Sequence, residues 1–183
     1  MRVLPLVPLV FLAAIAPGQK ETFVPANDVS FTVATERLNY QVKEKVIVRY
    51  EITNISNGSV YVPREWDLKC PASPHIWAWL ENSSGQHFIP GYAGDCSPSE
   101  QTVVERMKRE AVLLKPGQRL QGHVFLETGL FDGIEPGAYR VEAVLYGWNE
   151  KDFDERQRND LKNMPASFIR GEVPASTRVA LTR

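Results

Sequence analysis

The feature that most constrains this chain is the strict alternation between Val46 and Asn54. Val46, Val48, Tyr50 and Ile52 fall on one face, and Ile47, Arg49, Glu51 and Thr53 on the other. A period of two is that of a β-strand, and an apolar row opposite a polar one means burial on one side. Asn54-Ile55-Ser56-Asn57-Gly58-Ser59 then forms a turn, with Asn57-Gly58 its hairpin signal, and Val60-Tyr61-Val62 runs on to Pro63. Upstream, Val29, Phe31 and Val33 alternate with Ser30 and Thr32 in an opening strand.

The second half repeats this grammar. Lys115-Pro116-Gly117 leads into Arg119–Glu127, where Leu120, Val124 and Leu126 point one way. Glu135-Pro136-Gly137 leads into Ala138–Trp148, where Tyr139, Val141, Ala143 and Leu145 share a face. Proline presets φ at one turn position and glycine tolerates a positive φ at the next. A last strand over Thr177–Thr182 turns Val179 and Leu181 inward. Short strands at this spacing predict an all-β antiparallel sandwich.

Two stretches interrupt the strands and are read as insertions, about 64–110 and 149–173. In the first, Ser97-Pro98-Ser99-Glu100 has the form of a capping box, and Val103, Met107 and Ala111 continue one helical face, which predicts a helix over 98–110. The same stretch holds a hairpin in which Asn82-Ser83-Ser84-Gly85 joins Ile76–Glu81 to Gln86–Ile89. An even loop there sets His75 with Trp77, Trp79 and Phe88; an odd loop sets His75 and His87 on one face. In the second insertion, Phe153, Leu161 and Met164 predict a helix over 153–163 with an acidic first turn.

Met1–Ala16 has the form of a secretory leader: Arg2 as a minimal basic region, then an apolar run too short for a comfortable membrane span. Ala16-Pro17-Gly18 is the expected cleavage region, so residues 1–18 are read as signal peptide and 19–183 as one exported domain, secreted or periplasmic. Export sets the reading of Cys70 and Cys96, which are expected to pair as a structural disulfide. Such a bridge closes a loop of about 26 residues, for roughly 3 kcal/mol of stabilisation on the chain-entropy account. After the leader no apolar run approaches a membrane span. With 21 basic against 22 acidic side chains, the chain also lacks the basic surplus that nucleic acid demands.

Asn54-Ile55-Ser56 after an alternating strand, then Leu114-Lys115-Pro116-Gly117-Gln118, then Ile134-Glu135-Pro136-Gly137-Ala138-Tyr139-Arg140-Val141 resemble immunoglobulin-like and fibronectin type III-like sandwiches. Their order is similar to that of the bacterial proteinase-inhibitor domain of the BsuPI type. The resemblance implies that Tyr139 is a tyrosine corner, its hydroxyl tied to nearby backbone and its ring in the core. It implies no reactive-site residue here, because Lys43-Glu44-Lys45 replaces the usual Pro-Gly-Glu turn and both the export signal and the insertion after Trp148 are extra.

The chain contains no G-x-S-x-G, H-E-x-x-H or phosphate-cradling glycine loop. Asp152-Phe153-Asp154-Glu155 lacks the further oxygen ligands and glycine of a calcium loop, and a helix N-terminus accounts for its acids. No metal, no cofactor and no catalytic activity are expected. Three Asn-x-Ser sequons, at Asn54, Asn57 and Asn82, each suit a tight turn. The aromatic side chains remain as candidate binding residues: Trp66, Trp77, Trp79, Tyr92, Trp148 and Phe153, set against a reading in which Trp77 and Trp79 fill the core beneath the disulfide loop and Phe153 and Leu161 cover Tyr146 and Trp148. The sequence therefore predicts a non-catalytic binding or structural module of the cell envelope with a protein partner. Glycan binding through exposed aromatics and protease inhibition are the alternatives.

Overall fold

In the computed structural model, residues 21–64, 75–90 and 103–183 are described. The expected leader, the Cys70–Cys96 disulfide, Trp66, Tyr92 and the capping box at Ser97–Glu100 lie outside these residues.

The alternating segments form the two sheets of a sandwich. One sheet has three antiparallel strands, β2 (Val29–Thr35), β4 (Lys45–Asn54) and β9 (Arg119–Glu127), with β4 in the middle. The other has five, ordered β3 (Asn39–Gln41), β12 (Glu172–Thr182), β10 (Gly137–Tyr146), β6 (Ile76–Asn82) and β7 (His87–Phe88). First, second and fifth strands on one side and third, sixth and seventh on the other is the immunoglobulin order, with β7 added beside the third and β3 running parallel to the last. The chain is thus an all-β immunoglobulin-like sandwich with two insertions that contain short helices.

The core sits where the period-two patterns place it. Val46, Val48 and Ile52 from one sheet meet Ile76, Leu80, Val141, Ala143 and Leu145 from the other, all buried. Tyr139 joins them: its hydroxyl donates to the carbonyl of Glu135 at 2.7 Å and accepts from the Glu135 amide at 3.3 Å, while its ring packs edge-on to Phe88. The phenol end of Tyr50 reaches over Gly122 of β9, where any side chain would collide with it.

A third sheet extends the sandwich. It is ordered β1 (Phe23–Pro25), β11 (Ser167–Arg170), β5 (Val60–Pro63) and β8 (Ala111–Leu114), with β1, β11 and β5 mutually parallel and β8 antiparallel to β5. β4 and β5 are therefore two parts of one course, as are β8 and β9, each interrupted by a bulging turn. Asn54 closes that corner. Its side-chain amide donates to the carbonyls of Gly58 and Leu114, and its Oδ1 accepts from the backbone and hydroxyl of Ser56.

The insertions depart from expectation in two ways. Helix α1 spans Val103–Glu110, and Ala111, read as part of its face, is instead the first residue of β8 and pairs with Pro63. Strand pairing overrides helical periodicity there. Helix α2 spans Glu155–Lys162, capped by Asp154, whose side chain accepts from the Gln157 amide while Gln157 reaches back to the Asp154 amide. This reciprocal pair accounts for Asp154, and Glu155 stands in the first turn of the helix. The remainder of the second insertion is no free loop: β11 lies inside the third sheet and β12 begins at Glu172, not near Thr177.

The outer face of the five-stranded sheet

Trp77 and Trp79 alternate with Ile76, Ala78 and Leu80, which fill the core, so both indoles stand on the outer face. The register orders that face in rows across β12, β10 and β6: Pro174, Val144, Trp77; then Ser176, Glu142, Trp79; then Arg178, Arg140, Glu81, with His87 of β7 beyond. Ile89, one residue past β7 and 54% exposed, continues this face next to Trp79. The result is a half-buried apolar centre, Trp77, Trp79, Val144 and Ile89, bordered by charge.

The charged border is a network. Arg140 Nη2 donates to Glu81 Oε1 at 2.9 Å and its Nε pairs with Glu142, while His87 Nε2 lies 3.2 Å from Glu81 Oε2. The hydrogen bond from Arg140 holds the Glu81 carboxyl below the usual carboxylate range, with the charges of Arg140 and His87 adding to it. The same bond raises the Arg140 guanidinium. A carboxylate kept ionised in this way holds a fixed negative charge between Arg140 and His87. Arg178, directly across from Arg140, has no ion pair among the described residues, so two like charges face each other at this edge.

Trp79 carries a further tension. Its Nε1 is buried without a hydrogen-bond partner, and its ring lies 6.2 Å from that of His87. An unpaired buried donor costs about 1–3 kcal/mol.

The odd-loop register holds at the hairpin: Glu81 pairs with His87, so His75 and His87 share the outer face and Phe88 turns inward. Six residues along the strand, about 20 Å, separate the two histidine positions, too far for one metal ion. Among the described residues no group of three or more His, Cys, Asp or Glu side chains has the arrangement to hold a metal.

Two candidate binding residues are in the interior. Trp148 is 6% and Phe153 3% exposed. Trp148 meets Phe168 edge-on at 5.3 Å, and Phe153 packs on Phe23 at 5.5 Å, which in turn neighbours Phe168. The strand's outward row ends at Tyr146. Beyond it Gly147 and Trp148 bond to the backbone of Gly171 and Ile169, which carries the Trp148 ring into the core of the third sheet. These two residues dock the second insertion and present no ligand surface.

A concavity opens where that insertion leaves the sheet. It is a shallow cleft of about 880 Å³ between Pro25-Ala26, Tyr146 and Lys151, spanned by an ion pair of 3.1 Å between Arg170 and Glu150. Of its aromatic lining, Trp148 is committed to packing.

No protein-family model and no curated protein matches the chain. Among solved structures it is similar to a β-glucosidase from Erythrobacter marinus, at 13% identity and a TM-score of 0.41, covering 84% of this chain and 15% of that one. It is also similar to a CARDB domain from Pyrococcus furiosus solved with di-metal ions, at 11% identity, a TM-score of 0.37 and 85% and 88% coverage. The yjhA protein from Bacillus subtilis stands at 13% identity and 0.35, with 81% and 90% covered. The chain thus spans about 15% of the length of that glucosidase, and likenesses of this size carry no argument about what it does.

Proposed function

We propose that this chain is an exported, non-catalytic binding module that takes a protein partner on the outer face of its five-stranded sheet. The observation that carries the reading is the outward placement of Trp77 and Trp79 in a sheet whose core is already filled. An apolar centre of tryptophan, valine and isoleucine inside a charged border is the anatomy of a protein interface, in which buried aromatics supply affinity and rim charges set partner choice. The export part of this reading is supported by the leader-like Met1–Ala16 segment.

The test is capture from an envelope extract with immobilised residues 19–183, beside Ile89→Lys and Trp77→Ala baits of unchanged thermal midpoint. One protein retained by the native bait and lost from both variants supports the reading. Equal retention on all three baits overturns it.

A second reading has its own observation. The two indoles are two residues apart on one strand, about 6.7 Å, with the carboxylates of Glu81 and Glu142 beside them as acceptors for hydroxyl groups. Retention of polysaccharide instead of protein, lost with Trp77→Ala, moves the assignment to glycan binding.

A further inference from the structure

The edges of the sheets differ in how they are protected. β7 has two residues, β3 and β1 have three, and β1 ends in Pro25. β8 has four, and β2 lies against β12. β9 is different. It runs for nine residues, Arg119–Glu127, and among the described residues it pairs with β4 alone, approaching β6 of the facing sheet without forming a ladder with it. It contains no proline, and its inward positions, Leu120, Gly122, Val124 and Leu126, carry no charge. Long edges without such guards offer a template for pairing with another chain.

The sequence of β9 indicates which chain. Laid antiparallel on a second copy about a two-fold axis at His123, all nine residues overlap. Arg119 then stands opposite Glu127 of the partner subunit, and Leu120 opposite Leu126 of the partner subunit. Gln121 faces Phe125 of the partner subunit, and Gly122 faces Val124 of the partner subunit. His123 meets its own copy. Among two-fold registers only this one sets Arg119 against the opposite charge at both ends, on side chains that are 64% and 52% exposed and engaged in surface ion pairs of 3.2 and 3.1 Å with Glu51 and Lys45. Side-chain alternation is kept as well, because an axis normal to the sheet leaves outer residues outer and inner residues inner.

We propose that β9 is a homodimerisation edge, joining two copies through a continuous six-stranded sheet with its two-fold axis at His123. The outer face of the five-stranded sheet stays free in such a dimer, so it presents two copies of that surface to a partner.

Sedimentation equilibrium of residues 19–183 measures the dimer, and charge reversal tests the register. Arg119→Glu alone and Glu127→Arg alone are each expected to weaken dimerisation at least tenfold, while the double reversal restores it. That recovery cannot come from within one subunit, since the double variant opposes Glu51 and Lys45 with like charge. His123→Cys supplies a second readout. Directly opposed residues in an antiparallel pair have Cα atoms about 4.5–5.5 Å apart, within disulfide range, so this variant is expected to cross-link under oxidation where the native chain and Arg119→Cys do not. A native chain that stays monomeric at 200 micromolar overturns the proposal. So does a double reversal no better than the singles, or cross-linking indifferent to position.

Discussion

The side-chain amide of Asn54 donates to the carbonyl of Leu114, sixty positions further along the chain, at 2.9 Å. That bond joins the end of β4 to the end of β8, and Asn54 is fully buried with both ends of its amide satisfied. Asn54→Ala strands the Leu114 carbonyl and removes the acceptor of the Ser56 turn. It is expected to cost about 1–3 kcal/mol, read as a lower urea midpoint at unchanged slope. Asn54→Asp is expected to be at least as harmful, because a carboxylate there faces two carbonyl oxygens. An unaltered midpoint in both variants would refute the role of this corner.

Trp148 and Phe153 hold the second insertion against the third sheet through Phe168 and Phe23. Truncation of either to alanine is expected to cost about 3–5 kcal/mol, as for other large buried aromatics. Ile89→Ala, at a solvent-exposed position of the outer face, is expected to stay within about 0.5 kcal/mol of the native chain. Thermal midpoints for the three variants distinguish the interior from the surface.

Gly147 lets β10 pass close to β11. A Cβ at this position would lie 2.6 Å from the Ile169 carbonyl oxygen and 3.0 Å from the Arg170 Cα, and backbone cannot rotate aside as a side chain does. Gly147→Ala is expected to destabilise by about 1–3 kcal/mol through displacement of β11. Amide exchange should report it first, with protection falling at Phe168–Arg170 while β4 keeps its own.

Glu81 titrates below the ordinary carboxylate range because Arg140 and His87 stabilise its ionised form. A depressed folded value means stability fully present above about pH 4.3, the unfolded value, and lost as pH falls through the folded one. Arg140→Gln is expected to return the Glu81 carboxyl toward its ordinary range and to flatten the fall in thermal midpoint across that acidic window. Carbon-detected titration of the side-chain carboxyl follows the group directly. An unchanged titration would show that Arg140 does not govern it.

The strands of the sandwich are legible in the sequence wherever one face is buried and the other wet, as at Val46–Asn54 and Ala138–Tyr146, because alternation records that asymmetry. Elements covered on both sides or too short to alternate leave no such mark. β11 reads as the apolar pair Phe168-Ile169 between Pro165 and Gly171, a signal equally suited to a loop. Pro174 conceals the first half of β12; the strand tolerates it because β3 pairs only with Ala180–Thr182, leaving the proline on a side that needs no donor. The outward turn of Trp77 and Trp79 is hidden because both faces of Ile76–Leu80 carry apolar side chains, and the loop parity decides only that His87 and not Phe88 joins the indoles. The burial of Trp148 is hidden for a different reason: the bonds of Gly147 to Gly171 and of Trp148 to Ile169 bend it out of the outward row, and those contacts span some twenty residues of sequence.

The central position of β11 in its sheet has a consequence for synthesis. Its neighbours, β1 and β5, come from residues 23–25 and 60–63, yet neither can zip onto it until residue 170 exists. During translation the rings of Phe23 and Tyr61 therefore emerge long before Phe168, their shared packing partner. Non-local pairing of this kind is slow and leaves apolar surface open in the interim. A nascent chain arrested before Ser167 is thus a natural client for a holding chaperone, and release follows when the closing strand arrives.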